Sequence, residues 1–331
     1  MKRWISAAVL LLGIASSAWA QSNIVDIEFV KAAIARGALL WDTRDAETYA
    51  KGHIPGAVNI GNPNDELRDV NTEDYLPIAK LEELMGKAGI DPQREIVVYG
   101  VRAATPNYFA HVTIRHFGGD KVYVYHDGID GWRAAGQPVS QAPAAPTPVA
   151  LKLVPRPGVT VSTREVLAAV NNPNVQFVDA RTTKEFKGED IRSLRGGHIP
   201  GAVNVPYEQN WQDPDALRKI QRGEVKDSAG MSLKTSSDLK KLYGGLDPNK
   251  ETIVYCQSGV RASETATVLK DLGFKNVKVY DSSWLAYGNL ISAPAENESF
   301  INFNTLQGRI ASLQSRVDQL EKRLAATQRP Q

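Results

Sequence analysis

Residues 178–204 read VDARTTKEFKGEDIRSLRGGHIPGAVN, and residues 41–59 read WDTRDAETYAKGHIPGAVN. The eight residues Gly52–Asn59 and Gly197–Asn204 are identical. A second match pairs GIDPQREIVVYG at 89–100 with GLDPNKETIVYC at 245–256, and a third pairs KVYVYHDG at 121–128 with VKVYDSS at 277–283. Three matches in one order identify a duplicated domain. Within a copy, a short β-branched run (Gln176–Asp179) leads through a loop to a polar helical stretch. An apolar strand, Thr252–Tyr255, follows. Arg261–Leu272 then carries Ala266, Val268, Leu269 and Leu272 at helical spacing and is closed by Gly273, and Val277–Tyr280 is the next strand. Strands alternating with helices predict an α/β fold of two tandem domains, each a mainly parallel sheet flanked by helices.

The remaining segments set the boundaries. Lys2 and Arg3, an apolar run from Ile5 to Ile14 and Ala18-Trp19-Ala20 have the order of a secretory signal peptide over residues 1–20. A membrane anchor needs about 20 apolar residues, more than this run supplies. The first domain is expected over 21–140 and the second over 159–298. Residues 141–158 between them are rich in Ala and Pro, as in an extended, stiff linker. The second copy is longer by a charged Gln209–Lys241 segment, which reads as a surface excursion. Residues 299–331 form a tail in which Phe303, Leu306, Ile310, Leu313, Val317, Leu320 and Leu324 alternate spacings of three and four. Ile310 and Val317 at a with Leu at d favour a parallel two-stranded coil, with Arg316 at g facing Glu321 of a partner at e. The alternative is an amphipathic helix packed on its own domain.

The chain has 39 basic and 37 acidic residues, and removing Lys2 and Arg3 leaves 37 of each sign. A neutral mature chain gives no electrostatic basis for binding nucleic acid or, after signal cleavage, a membrane. Five scattered His and one Cys offer no metal cluster, and no cofactor is expected. The single Cys cannot form an intramolecular disulfide, so in an oxidising compartment it is either buried and inert or present for its reactivity.

Position leaves both readings open, and the composition of the following loop favours reactivity. Cys256 directly follows a strand and directly precedes a helix, where an open α/β sheet places its ligands. The intervening Gln257, Ser258, Gly259 and Val260 can curl with their amides inward, the following helix start adds partial positive charge, and Arg261 adds a full charge. All three effects stabilise a thiolate, the nucleophilic form.

VYCQSGVRAS, together with FVDAR, GGHIPGAVN and YDSSW, resembles the tandem-domain rhodaneses, the thiosulfate and 3-mercaptopyruvate sulfurtransferases. The resemblance covers residues 24–290. It implies a ping-pong cycle through a persulfide on Cys256, with Gln257, Ser258, Gly259, Val260 and Arg261 as the persulfide and substrate loop. Where the second copy has Tyr255-Cys256, the first has Tyr99-Gly100, so the first domain is expected to be catalytically silent and to wall the cleft. Related phosphatases use Cys-x5-Arg, whereas Cys256 and Arg261 form the tighter Cys-x4-Arg of sulfur carriers. Arg261 suits the sulfonate of thiosulfate. Gln257 stands where thiosulfate-using relatives often carry a basic residue, which leaves 3-mercaptopyruvate as the alternative donor. A sulfur carrier or binding scaffold without turnover is a third reading.

Asp179, Arg181 and His198 recur as Asp42, Arg44 and His53 in the silent copy, so they are expected to be structural. Trp284, Lys184 and Arg195 are candidate pocket-lining residues, with Arg192 a further candidate cation. The expected partners are a small-molecule sulfur donor and acceptor such as cyanide or a thiol, and a second copy through residues 303–324.

Overall fold

A computed structural model describes residues 22–327, so the leader expected over residues 1–20 lies outside the described residues. The first domain contains β1 (Ile24–Val25), β2 (Leu39–Asp42), β3 (Val58–Asn59), β4 (Ile96–Tyr99) and β5 (Val122–Tyr125), in the order β1-β5-β4-β2-β3. The second contains β6 (Thr160–Val161), β7 (Val175–Asp179), β8 (Arg195–His198), β9 (Val203–Asn204), β10 (Glu251–Tyr255), β11 (Asn276–Tyr280) and β12 (Glu296–Phe300). Its main sheet runs β6-β11-β10-β7-β9, the same order as the first. Every pairing in both sheets is parallel. All residues of β2, β4 and β5 are buried, as expected of parallel strands covered on both faces. Among the described residues, β8 and β12 are the only strands that pair antiparallel, set apart from the main sheet.

The two domains meet through equivalent helices, Thr105–His116 and Val260–Asp271, which pack against each other. Each follows the strand that ends at the candidate loop. Each is also covered on both sides, by its own sheet and by its counterpart. That is why polar residues such as Asn107, His111, Ser263 and Thr267 are buried along with the apolar ones.

One sequence expectation changes here, and a second is sharpened. The Gln209–Lys241 segment is no surface excursion. Trp211, Ala216 and Met231 are buried with Ala103 of the first domain, and the Trp211 indole donates to Glu264 at 3.0 Å. Charge dominates the segment's composition, but its few apolar side chains suffice to seat it between the domains. The linker is likewise tied down: Val149 N–H donates to the Gly86 carbonyl at 2.9 Å, and Leu153 joins the first core. A Cβ at Gly86 would stand 2.5 Å from the Val149 carbonyl, so glycine permits that approach.

The tail is one helix, Phe303–Thr327. Phe303, Leu306, Ile310, Leu313, Val317 and Leu320 are all exposed, so the stripe does not pack on its own domain.

Candidate functional site

Strand β10 delivers Cys256 to the carboxyl edge of the second sheet, between β7 and β11. Its N–H donates to Ser283 Oγ at 3.1 Å, and its carbonyl accepts from Trp284 N–H at 3.0 Å. The Gln257 carbonyl accepts from Leu285 N–H at 2.8 Å. The helix Ser283–Asn289 therefore grips the base of the loop. Gly259 caps the next helix in a left-handed conformation, φ +80°, which favours glycine. Its α-carbon is pressed against Asp281, whose carbonyl would lie 2.6 Å from an added Cβ. Among the described residues, the N–H groups of Ser258, Gly259, Val260 and Arg261 have no protein acceptor. They are free loop and helix-start donors in the turn that follows Cys256, an arrangement suited to binding an anion.

Arg261 is committed elsewhere. Its guanidinium makes two 2.8 Å bonds to Glu185, which is also 3.3 Å from Arg192. Burial alone would raise the Glu185 carboxyl. The Arg261 hydrogen bonds and charge override it, helped by Thr182, and hold the carboxyl at about 2. Burial likewise opposes the Arg261 charge, but Glu185 and the nearby Cys256 raise it above its usual range. The expectation of a free Arg261 cation is corrected: its charge is largely neutralised at the site. Arg192, with a side chain 52% exposed, is the more accessible cation.

Cys256 opens into a cleft of about 300 Å³ lined by Arg192, Gln257, Ser258, Val260 and Arg261 of its own domain. Asn62, Asn64, Glu73, Thr105 and Pro106 of the first domain form the other wall. Gln257 is held by its amide, which donates to the Arg192 carbonyl and Ser193 Oγ, both at 3.1 Å.

The candidate pocket residues Trp284, Lys184 and Arg195 do not line this cleft. Trp284 is 1% exposed beneath the loop, stacked 4.5 Å from the Arg181 guanidinium, with its indole N–H on the Arg195 carbonyl. Arg195 is buried in β8, bonded to Glu298 at 2.6 Å and the Leu290 carbonyl at 2.9 Å. Sequence proximity placed it near the site, but the β8–β12 ribbon turns its side chain inward. Lys184 is exposed and lines a separate cleft with Asp190, Glu208 and Arg218. It occupies the exposed side of a one-turn helix whose buried side carries Glu185.

The recurrent residues make the same bonds twice. Arg181 pairs with Asp179 and reaches the Gly197 carbonyl, and Arg44 pairs with Asp42 and reaches the Gly52 carbonyl. His198 stacks on Phe186 and His53 on Tyr49, each with Nδ1 bonded to that residue's carbonyl. These contacts hold turns, away from the cleft.

In the first domain the cradle is filled. A Cβ at Gly100 would stand 2.5 Å from Asn107 Oδ1 and 2.7 Å from Thr43 Oγ1, which are themselves hydrogen-bonded. The second domain has Ala180 and Ser263 at these positions of the repeat, both smaller than Thr43 and Asn107.

Sequence reasoning expected the first domain to wall the cleft but missed Glu185, Ser283 and the residues that form that wall. A signal existed for Glu185: Thr182-x-x-Glu185 is a capping box, and both its hydrogen bonds form. The other contacts join segments that no local pattern connects.

Residues 26–135 and 162–290 each match the Rhodanese-like domain family. A putative thiosulfate sulfurtransferase 1 of Mycobacterium bovis is 33% identical over 297 residues, spanning 85% of this chain and 96% of that protein. A thiosulfate sulfurtransferase of Corynebacterium glutamicum is 35% identical over 269 residues, 76% of this chain and 82% of that one. Among solved structures, SseA of Escherichia coli, described as a 3-mercaptopyruvate sulfotransferase, superposes with a TM-score of 0.67 at 26% identity. That superposition covers 80% of this chain and 99% of SseA.

Proposed function

The chain belongs to the rhodanese-like domain family as a tandem sulfurtransferase, and from that premise we propose that it moves sulfane sulfur from thiosulfate to a thiophilic acceptor through a persulfide on Cys256. The observation that carries this reading is the placement of Cys256, the one cysteine of the sequence, at the floor of an interdomain cleft beside four unpaired amides. The thiolate attacks the outer sulfur of thiosulfate, the S–S bond breaks, and sulfite leaves with the bonding electrons. Free amides hold the persulfide anion. Cyanide or a thiolate then attacks the terminal sulfur and returns Cys256 as thiolate. The first domain contributes a wall and no nucleophile, since Gly100 stands at the position of Cys256.

The test is intact-mass spectrometry after donor treatment, run beside steady-state turnover. A one-sulfur adduct and sulfite release in the wild type, both lost in Cys256→Ala, support the enzyme. An adduct without turnover indicates a sulfur carrier, and no adduct at all indicates a scaffold. 3-Mercaptopyruvate is the second reading for the donor, favoured by the likeness to SseA and by neutralisation of Arg261 by Glu185. The ratio of kcat/KM values for the two donors decides between them.

Two further properties belong to this proposal. Export rests on the signal-peptide pattern, and a mature chain beginning at Gln21 tests it. Self-association rests on the exposed stripe of the tail helix. Arg309 and Arg316 fall at g, so antiparallel pairing would set Arg against Arg, whereas parallel pairing sets Arg316 against Glu321 of the second copy. A Leu306→Cys variant in a Cys256→Ala background carries a single thiol and so reports cleanly. A disulfide-linked dimer on mild oxidation supports a parallel pair, and a monomeric mass at every concentration refutes it.

A further inference from the structure

The loop that carries Cys256 is held from outside its own domain. Arg68 of the first domain has a side chain only 1% exposed. It donates from Nη1 to the Ser258 carbonyl at 2.6 Å and from Nη2 to Asp281 Oδ1 at 3.2 Å. Its guanidinium lies 4.9 Å from the Phe109 ring centroid, and its Nη1 also reaches Asn64 Oδ1 at 3.3 Å. Asp281 in turn backs the loop, packed against Gly259. A planar fork thus spans two points on the outer side of the loop, which a lysine cannot reproduce.

The consequence follows from peptide geometry. In a trans peptide the C=O and the N–H point in opposite directions. Arg68 draws the Ser258 carbonyl toward the first domain, so the N–H of Gly259, in the same peptide plane, is directed the other way. That N–H is one of the donors with no protein acceptor.

We propose that Arg68 is a positioning residue for sulfur transfer: by holding the Ser258 carbonyl, it aims the Gly259 N–H at the sulfur carried by Cys256. The proposal rests on the reading of Cys256 as the persulfide site. It gives the domain without a nucleophile a direct part in the reaction. It also gives a role to a buried cation at a place where an apolar contact would hold two domains together.

The experiment measures single-turnover persulfide formation from thiosulfate, donor KM and thermal melting for wild type, Arg68→Met, Arg68→Lys and Asp281→Asn. Arg68→Met keeps the stem on Phe109 but removes the donors. It is expected to slow persulfide formation by about 10- to 100-fold, the scale of losing one aligned donor, with little change in KM. Arg68→Lys retains a charge and one bond, so it should fall between the two. Asp281→Asn preserves an acceptor and leaves the Ser258 bond intact, so its rate should stay close to wild type even if it melts lower. If Asp281→Asn loses as much rate as Arg68→Met, the residue is an interdomain tie only and the proposal fails. An undiminished rate in Arg68→Met overturns it too, whereas absence of any adduct in the wild type overturns the Cys256 reading instead.

Discussion

Replacing Glu185 by Gln tests the electrostatics of the site most directly. The Glu185 side chain is 2% exposed and carries two 2.8 Å bonds from Arg261. Its carboxyl is held at about 2, against a usual 4.5. A carboxyl depressed on folding adds stability that is complete above its unfolded value and is lost as pH falls through the folded one. Here that window runs from pH 4.5 down to about 2. The depression corresponds to about 3 kcal/mol at neutral pH and about 1.4 kcal/mol at pH 3. The separate rule that breaking a buried ion pair costs about 3–5 kcal/mol points to the same size, at its lower end because Arg261 is 17% exposed. Equilibrium denaturation of wild type and Glu185→Gln at pH 7 and pH 3 reads both numbers. The variant should be weaker by about 3 kcal/mol at pH 7, with the deficit roughly halved at pH 3. A deficit below about 1 kcal/mol at pH 7, the range of an exposed pair, would refute the reasoning. So would a deficit that does not shrink in acid.

Gly259→Ala puts a side chain at φ +80° and a Cβ 2.6 Å from the Asp281 carbonyl, so the loop must move. Stability should fall by at least about 1–2 kcal/mol and turnover by about tenfold or more, measured by melting and steady-state kinetics. Gly100→Cys should create no second persulfide site, because its cradle is filled by Asn107 and Thr43. Intact mass after thiosulfate would show one added sulfur, and two would contradict this. Trp284→Phe keeps the ring beneath Arg181 but strips a bond from the buried Arg195 carbonyl, which costs about 1–3 kcal/mol. Donor KM should not change, and a raised KM with unaltered melting would place the ring in the cleft.

The repeat, the α/β rhythm and the position of Cys256 at a strand end were legible because each is local. GHIPGAVN appears twice, β-branched runs alternate with helical spacing, and Tyr255-Cys256 stands where Tyr99-Gly100 stands in the first copy. Periodicity and turn chemistry record what a segment does with its nearest neighbours, and a duplication repeats that record. What faces the cysteine was decided only in three dimensions. Arg261 turns to Glu185, 76 positions away. Arg195 and Trp284 turn under the loop, while Arg68 crosses from the other domain to reach Ser258, 190 positions distant. A charge finds its partner through packing of the whole chain, and no pattern along the sequence carries that information. The charged 209–241 segment shows the same limit: its composition describes a surface, but burial of Trp211, Ala216 and Met231 makes it an interface.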